Sequence, residues 1–171
     1  DHVLQIENEY YSLVRPKQVP QEGETPSQAL ENRGIAYVEL RAVDVNPYSP
    51  IGINEDTAGF LEVVALYCLL QDSPALFGEE QEIIEQNQTE VVNRGRAPNA
   101  AILADGQCYP IEDWCAIHLQ RMQPLAELLN QTYATDLYSN AMKMMQIRVD
   151  EVDATLSALV VGDTRTQGSM W

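Results

Sequence analysis

An α+β fold is predicted by two segments of strict two-residue alternation and by a longer run of helical periodicity behind them. Residues 3–11 put Gln5, Glu7, Glu9 and Tyr11 on one side and Leu4, Ile6 and Tyr10 on the other, the pattern of a strand with one polar face. Residues 35–43 alternate in the same way, with Ile35, Tyr37, Glu39, Arg41 and Val43 opposed to Ala36, Val38, Leu40 and Ala42. From about residue 54 to 161 the apolar positions follow helical spacing instead, so two or more antiparallel strands should precede a helical cluster.

The connections support this division. Pro16 to Glu24 carries Pro, Gly and charge, the makings of a loop, and Thr25-Pro26-Ser27-Gln28 then offers a helix cap, a proline at the first helical position and a glutamine at the third. The short helix should stop at Gly34. Asn46-Pro47-Tyr48-Ser49-Pro50 cannot continue a ladder, because each proline lacks an N–H and restricts the residue before it. Asn54 is placed to cap a long helix with acidic residues in its first turn, ended by Asp72-Ser73-Pro74. Further helices are expected at about 79–94, 111–131, 134–147 and 149–161, with Pro124 placed to kink the second.

Composition narrows the function classes. A chain of 171 residues that is 45% hydrophobic can bury one ordinary core. With 26 acidic against 10 basic residues and no basic run, attraction to nucleic acid or to an anionic membrane is disfavoured. An acidic chain still handles a nucleotide where carboxylates hold Mg²⁺ against the phosphates. The cysteines, Cys68, Cys108 and Cys115, include no CxxC pair, and two sit in apolar helical context, which predicts buried thiols in a reducing cytoplasm. No apolar run reaches the roughly 18 to 20 residues of a membrane helix. The chain opens in strand-like sequence without an initiator Met, which favours a piece of a larger protein.

The sharpest local feature is Tyr37-Val38-Glu39-Leu40-Arg41, where a carboxylate and a guanidinium two residues apart leave a strand on one face. Glu39 suits a hard cation and Arg41 suits phosphate oxygens, a pairing that phosphoryl transfer requires. On these residues alone the commoner reading is a salt bridge on a solvated face, worth less than about 1 kcal/mol. Glu7, Glu9 and Tyr11 would face the same cavity if the two strands share a sheet, and Arg15 and Lys17 lie just beyond the first strand. P-loop, dinucleotide, hydrolase-elbow and zincin motifs find no match, and His2 and His118 lack ligand spacing. Trp114, Met122 and Met142 to Met145 read as core packing.

Four blocks in order, Leu4 to Tyr11, Arg15-Pro16-Lys17, Gly34 to Arg41 and Asp44 to Ile53, resemble the bacterial glutamate-cysteine ligase family. The resemblance is dense over residues 3–72, where Phe60-Leu61-Glu62 and Cys68 also fit, and thins to scattered agreement such as Gly95-Arg96-Ala97-Pro98. It implies part of a glutamine synthetase-like fold, in which an antiparallel sheet lines a funnel and helices pack outside. It also implies a cytoplasmic reaction in which the γ-phosphate of ATP passes to the side-chain carboxylate of L-glutamate and the amine of L-cysteine attacks the acyl phosphate, the first step of glutathione biosynthesis. Position by position, Glu39 corresponds to a ligand of Mg²⁺, with Mn²⁺ as a substitute, Arg41 to the arginine on the transferred phosphate, and Tyr11 to a tyrosine of the cysteine pocket. Arg15, Lys17, Glu7 and Glu9 fall within the resemblance as secondary positions without an assigned role.

The same resemblance makes residues 1–171 a C-terminal portion of one catalytic domain, lacking the N-terminal part that carries most metal and nucleotide ligands, and therefore inactive and exposed at its strand edges by itself. Two rivals stay open. One is another carboxylate-amine ligase on the same scaffold, which a substrate panel separates. The other is a helical binding module whose strand charges are mere surface, in which case Glu39 and Arg41 are dispensable for turnover.

Overall fold

The computed structural model describes residues 13–168, so the expected strand at 3–11 lies outside the described residues. The chain divides into two compact units, Asp1–Val45 and Asn46–Trp171.

In the first unit, β1 (Val14–Lys17) pairs antiparallel with β2 (Tyr37–Leu40), and α1 (Pro26–Arg33) lies between them in sequence. The capping box read from Thr25 to Gln28 is present: Thr25 Oγ1 accepts the Gln28 N–H at 3.3 Å, and Gln28 Oε1 accepts the Thr25 N–H at 3.0 Å. Gly34 ends α1 at φ 72°, a conformation that glycine adopts without strain. Arg33 then turns back onto Glu24, Nη2 to Oε2 at 2.6 Å, and closes the 18–25 loop against the helix.

Two expectations need correction here. Pro16 and Lys17 are strand rather than loop, and the strand expected at 35–43 is confined to Tyr37–Leu40. The Arg41 N–H still donates to the Leu13 carbonyl at 2.7 Å, so by the alternation of an antiparallel ladder Pro16 faces Val38 in a pair that exchanges no N–H bonds. A proline is tolerated there because it removes no ladder bond.

The second unit contains α2 (Glu55–Leu69), α3 (Gly78–Arg94), a hairpin of β3 (Ala101–Ala104) and β4 (Gln107–Pro110), α4 (Ile111–Tyr133), α5 (Leu137–Asp150) and α6 (Leu156–Gln167). Asn54 caps α2 by accepting the Thr57 N–H at 3.0 Å. Helix α4 runs unbroken past Pro124. The last helix begins seven residues later than expected from 149, because a 3₁₀ turn at Val152–Ala154 intervenes and the Thr155 side chain caps at Ala158 N–H. The β3–β4 hairpin was not anticipated; Asp105 and Gly106 turn it with φ of 51° and 72°, the double left-handed geometry that Asp-Gly favours.

The core lies among α2, α4 and α5, where Val63, Leu119, Met122, Ala126, Leu129 and Met142 are buried. Apolar positions on three helices meet there, and their removal from water is the main stabilising term. Gly59 allows the close approach of α2 to α5: a Cβ at that position would stand 3.1 Å from Leu137 Cγ. The Tyr138 hydroxyl donates to Glu62 Oε2 at 2.8 Å, and this bond, with burial adding to it, pushes the phenol up to about 12. The cysteines depart from expectation: Cys68 and Cys108 are exposed and Cys115 is half-buried, because helical context does not by itself decide which face meets the core. Among the described residues, no helix is long and apolar enough to cross a membrane.

Candidate functional site

The register Arg15↔Glu39 and Lys17↔Tyr37 sorts the ribbon into two faces. Directly opposed residues of an antiparallel pair project to the same side, so Arg15, Lys17, Tyr37 and Glu39 share one face, and Arg41, two residues past Glu39, continues it. The other face carries Val14, Pro16, Val38 and Leu40. The even-odd pattern of the sequence therefore becomes one charged and one apolar surface.

Glu39 is the hub of the charged face. Its Oε1 lies 3.1 Å from Arg41 Nε and its Oε2 accepts Arg41 Nη2 at 3.2 Å, a two-point grip from within the same strand direction. From β1, Lys17 Nζ stands 3.7 Å from Glu39 Oε2. The Arg41 hydrogen bond holds the Glu39 carboxyl below the usual carboxylate range against the opposing effect of burial, and the charges of Arg41, Lys17 and Arg15 add to the lowering. The carboxylate is thus ionised at neutral pH.

Three cations face one carboxylate in a chain whose formal charge is −16. Beside them a cleft of about 470 Å³ is lined by Arg15, Lys17, Val19, Pro20, Leu30 and Tyr37. Cations on one side and apolar surface on the other suit a ligand with a charged end and a less polar body. Tyr37 had no role in the sequence reading, yet its place in the alternation, two residues before Glu39, already put it on this face.

A divalent metal is a different matter. Among the described residues, no three His, Cys, Asp or Glu side chains group to hold one. The ribbon offers a single carboxylate, and Arg41 and Lys17 engage it, so these residues fit one ligand position and not a whole metal site. Glu7, Glu9 and Tyr11, the other site residues expected from the sequence, lie outside the described residues.

Comparison with known proteins places this face in context. The glutamate-cysteine ligase family profile matches residues 1–91, more than half of the chain and all of the ribbon. The chain belongs to the glutamate-cysteine ligase family. The glutamate-cysteine ligase of Azotobacter vinelandii is 42% identical over 167 residues, which is 98% of this chain and 32% of that protein. That of Alcanivorax borkumensis is 39% identical over 169 residues, again 98% of this chain and 32% of the relative. The crystal structure of the Francisella tularensis glutamate-cysteine ligase in complex with AMP matches with a TM-score of 0.85 and 34% identity, over 95% of this chain and 32% of that one. The α+β architecture, strands with a helical cluster, is therefore that of the family, and the chain spans about a third of the length of these relatives.

Proposed function

We propose that this chain supplies one wall of the active site of an ATP-dependent glutamate-cysteine ligase, acting within a longer polypeptide. The observation that carries the reading is the basic face centred on Glu39 and Arg41 in a member of this family. In the proposed reaction the side-chain carboxylate of L-glutamate attacks the γ-phosphate of ATP, ADP leaves, and the amine of L-cysteine displaces phosphate from the resulting acyl phosphate. Negative charge spreads over the equatorial oxygens of the phosphoryl group as it transfers, and fixed cations facing those oxygens lower the barrier.

Arg41 is the residue assigned to that contact. Glu39 orients its guanidinium, so little reorganisation is required when the phosphate arrives. Lys17 and Arg15 add positive potential from β1, and we assign them to the polyphosphate chain as secondary contacts. The AMP in the Francisella tularensis relative supports a nucleotide as co-substrate. We further assign Glu39 as one oxygen ligand of Mg²⁺, or of Mn²⁺ in its place, with the remaining ligands outside the described residues and Glu7 and Glu9 as secondary candidates. Such an ion would supply charge neutralisation between phosphates. Tyr11 is assigned to the L-cysteine pocket. The reading places the reaction in the cytoplasm, where these substrates are soluble and no membrane contact is invoked.

The test is a substrate panel on the intact natural protein that contains this chain. Formation of γ-glutamylcysteine and ADP that depends on ATP, L-glutamate and L-cysteine together supports the reading. Equal turnover with an unrelated amine in place of L-cysteine would favour a different carboxylate-amine ligase.

A further inference from the structure

A second cavity lies within the helical unit, remote in sequence from the ribbon. It measures about 190 Å³ and is lined by Arg96 and Pro98 of the turn after α3, Glu112 and Cys115 of α4, Arg148 near the end of α5, and Thr155 before α6. The turn is the Gly95-Arg96-Ala97-Pro98 segment, which the ligase reading leaves without a task.

Two features of this cavity point the same way. Arg148 is half-buried, with its Nε buried and without a hydrogen-bond partner among the described residues, and its Nη1 makes a weak contact with Met145 Sδ at 3.7 Å. A guanidinium donor withdrawn from water without an acceptor is costly, and such groups are normally paired. Neither Arg148 nor Arg96 forms an ion pair among the described residues, although Glu112 borders the cavity from an exposed position. The start of α4 at the cavity wall adds no further site, because the Ile111 N–H donates to the Ala100 carbonyl at 3.1 Å and Glu112 and Asp113 already place two carboxylates in the first turn.

The half-buried Cys115 thiol beside them is pushed up by burial, so the cavity is not built around a reactive thiolate. The volume admits about six waters, taking roughly 30 Å³ each, or one small ion with its remaining shell.

We propose that this cavity binds a small free oxyanion, phosphate or a short carboxylate, through the Arg148 and Arg96 guanidiniums that line it. The site is built from other residues than the ribbon and does not rest on the ligase reading.

The test is calorimetric titration of the intact natural protein with inorganic phosphate and, separately, with acetate, at constant ionic strength. Saturable binding of either probe is expected, weakened about ten- to a hundredfold by Arg148→Met and by Arg96→Gln. It should persist in Arg41→Lys, which separates it from the ribbon, and in the control Arg165→Gln. If Arg148→Met fails to fold by circular dichroism, the exposed Arg96→Gln decides alone. Absence of saturable binding, or binding that Arg96→Gln leaves unchanged, overturns the proposal. So does a stability loss in Arg148→Met without a response to either probe, which would give Arg148 an internal partner or a water.

Discussion

Arg41 holds both carboxylate oxygens of Glu39, through Nε to Oε1 at 3.1 Å and Nη2 to Oε2 at 3.2 Å. The two residues stand two apart, so the strand pleat alone brings them to one side, and Lys17 reaches the same carboxylate from the neighbouring strand. A carboxylate held by hydrogen bonds to its charged form resists protonation. The Glu39 carboxyl should therefore titrate below the ordinary glutamate value, and the sign follows from linkage: the grip is complete above that ordinary value and is lost as pH falls through the lowered one. Carboxyl ¹³C titration should show this, and Arg41→Ala should move the midpoint upward.

Glu24 makes a sharper case in the same unit. Hydrogen bonds from Arg33, the Gln21 backbone and Asn32 lower its carboxyl from 4.5 to about 2. Because the folded value lies below the unfolded one, the stabilisation of the 18–25 loop is fully present above about pH 4.5 and fades as pH falls through about 2. Arg33→Ala should move the Glu24 midpoint upward in the same ¹³C titration, with the Gln21 and Asn32 hydrogen bonds still holding it below 4.5.

The α2–α5 contact predicts a size threshold at Gly59. A single methyl there meets Leu137 Cγ at 3.1 Å, which a small side-chain shift relieves, and alanine gains about 1 kcal/mol in helix propensity over glycine. Gly59→Ala should be near neutral. Gly59→Leu overfills the contact and should cost about 1–3 kcal/mol, read as a lower urea midpoint.

Asn87 behaves like an extra strand residue beside β3. Its Nδ2 donates to the Leu103 carbonyl at 2.7 Å and its Oδ1 accepts the Leu103 N–H at 2.8 Å. Asn87→Ala removes both bonds and should lower stability by about 1–2 kcal/mol, with faster hydrogen exchange at the Leu103 amide. Asn87→Asp keeps the acceptor but loses the donor, so exchange at Leu103 should stay closer to that of the natural protein.

These particulars show what the sequence made readable. Thr25-Pro26-Ser27-Gln28 and Asn54 carried their caps in local chemistry alone, and both helices start where those residues place them. The shared face of Glu39 and Arg41 followed from alternation. The pairing of Arg15 and Lys17 with that face did not, because Pro16 read as a strand breaker, and only the register shows its position to be one that exchanges no N–H bonds. The Asp105-Gly106 signal for the hairpin was present but lay between stronger helical patterns. Cys68 and Cys115 misled because hydrophobic neighbours do not say which side of a helix packs.

The most direct measurement is steady-state turnover of ATP, L-glutamate and L-cysteine by the intact natural protein carrying Arg41→Lys, with Glu39→Gln beside it. Lysine keeps the charge but cannot form the two-point contact, so kcat should fall about 10²- to 10³-fold while the circular dichroism spectrum is unchanged. Turnover within a few fold of the natural protein in both variants would contradict the account and leave the charged ribbon as surface.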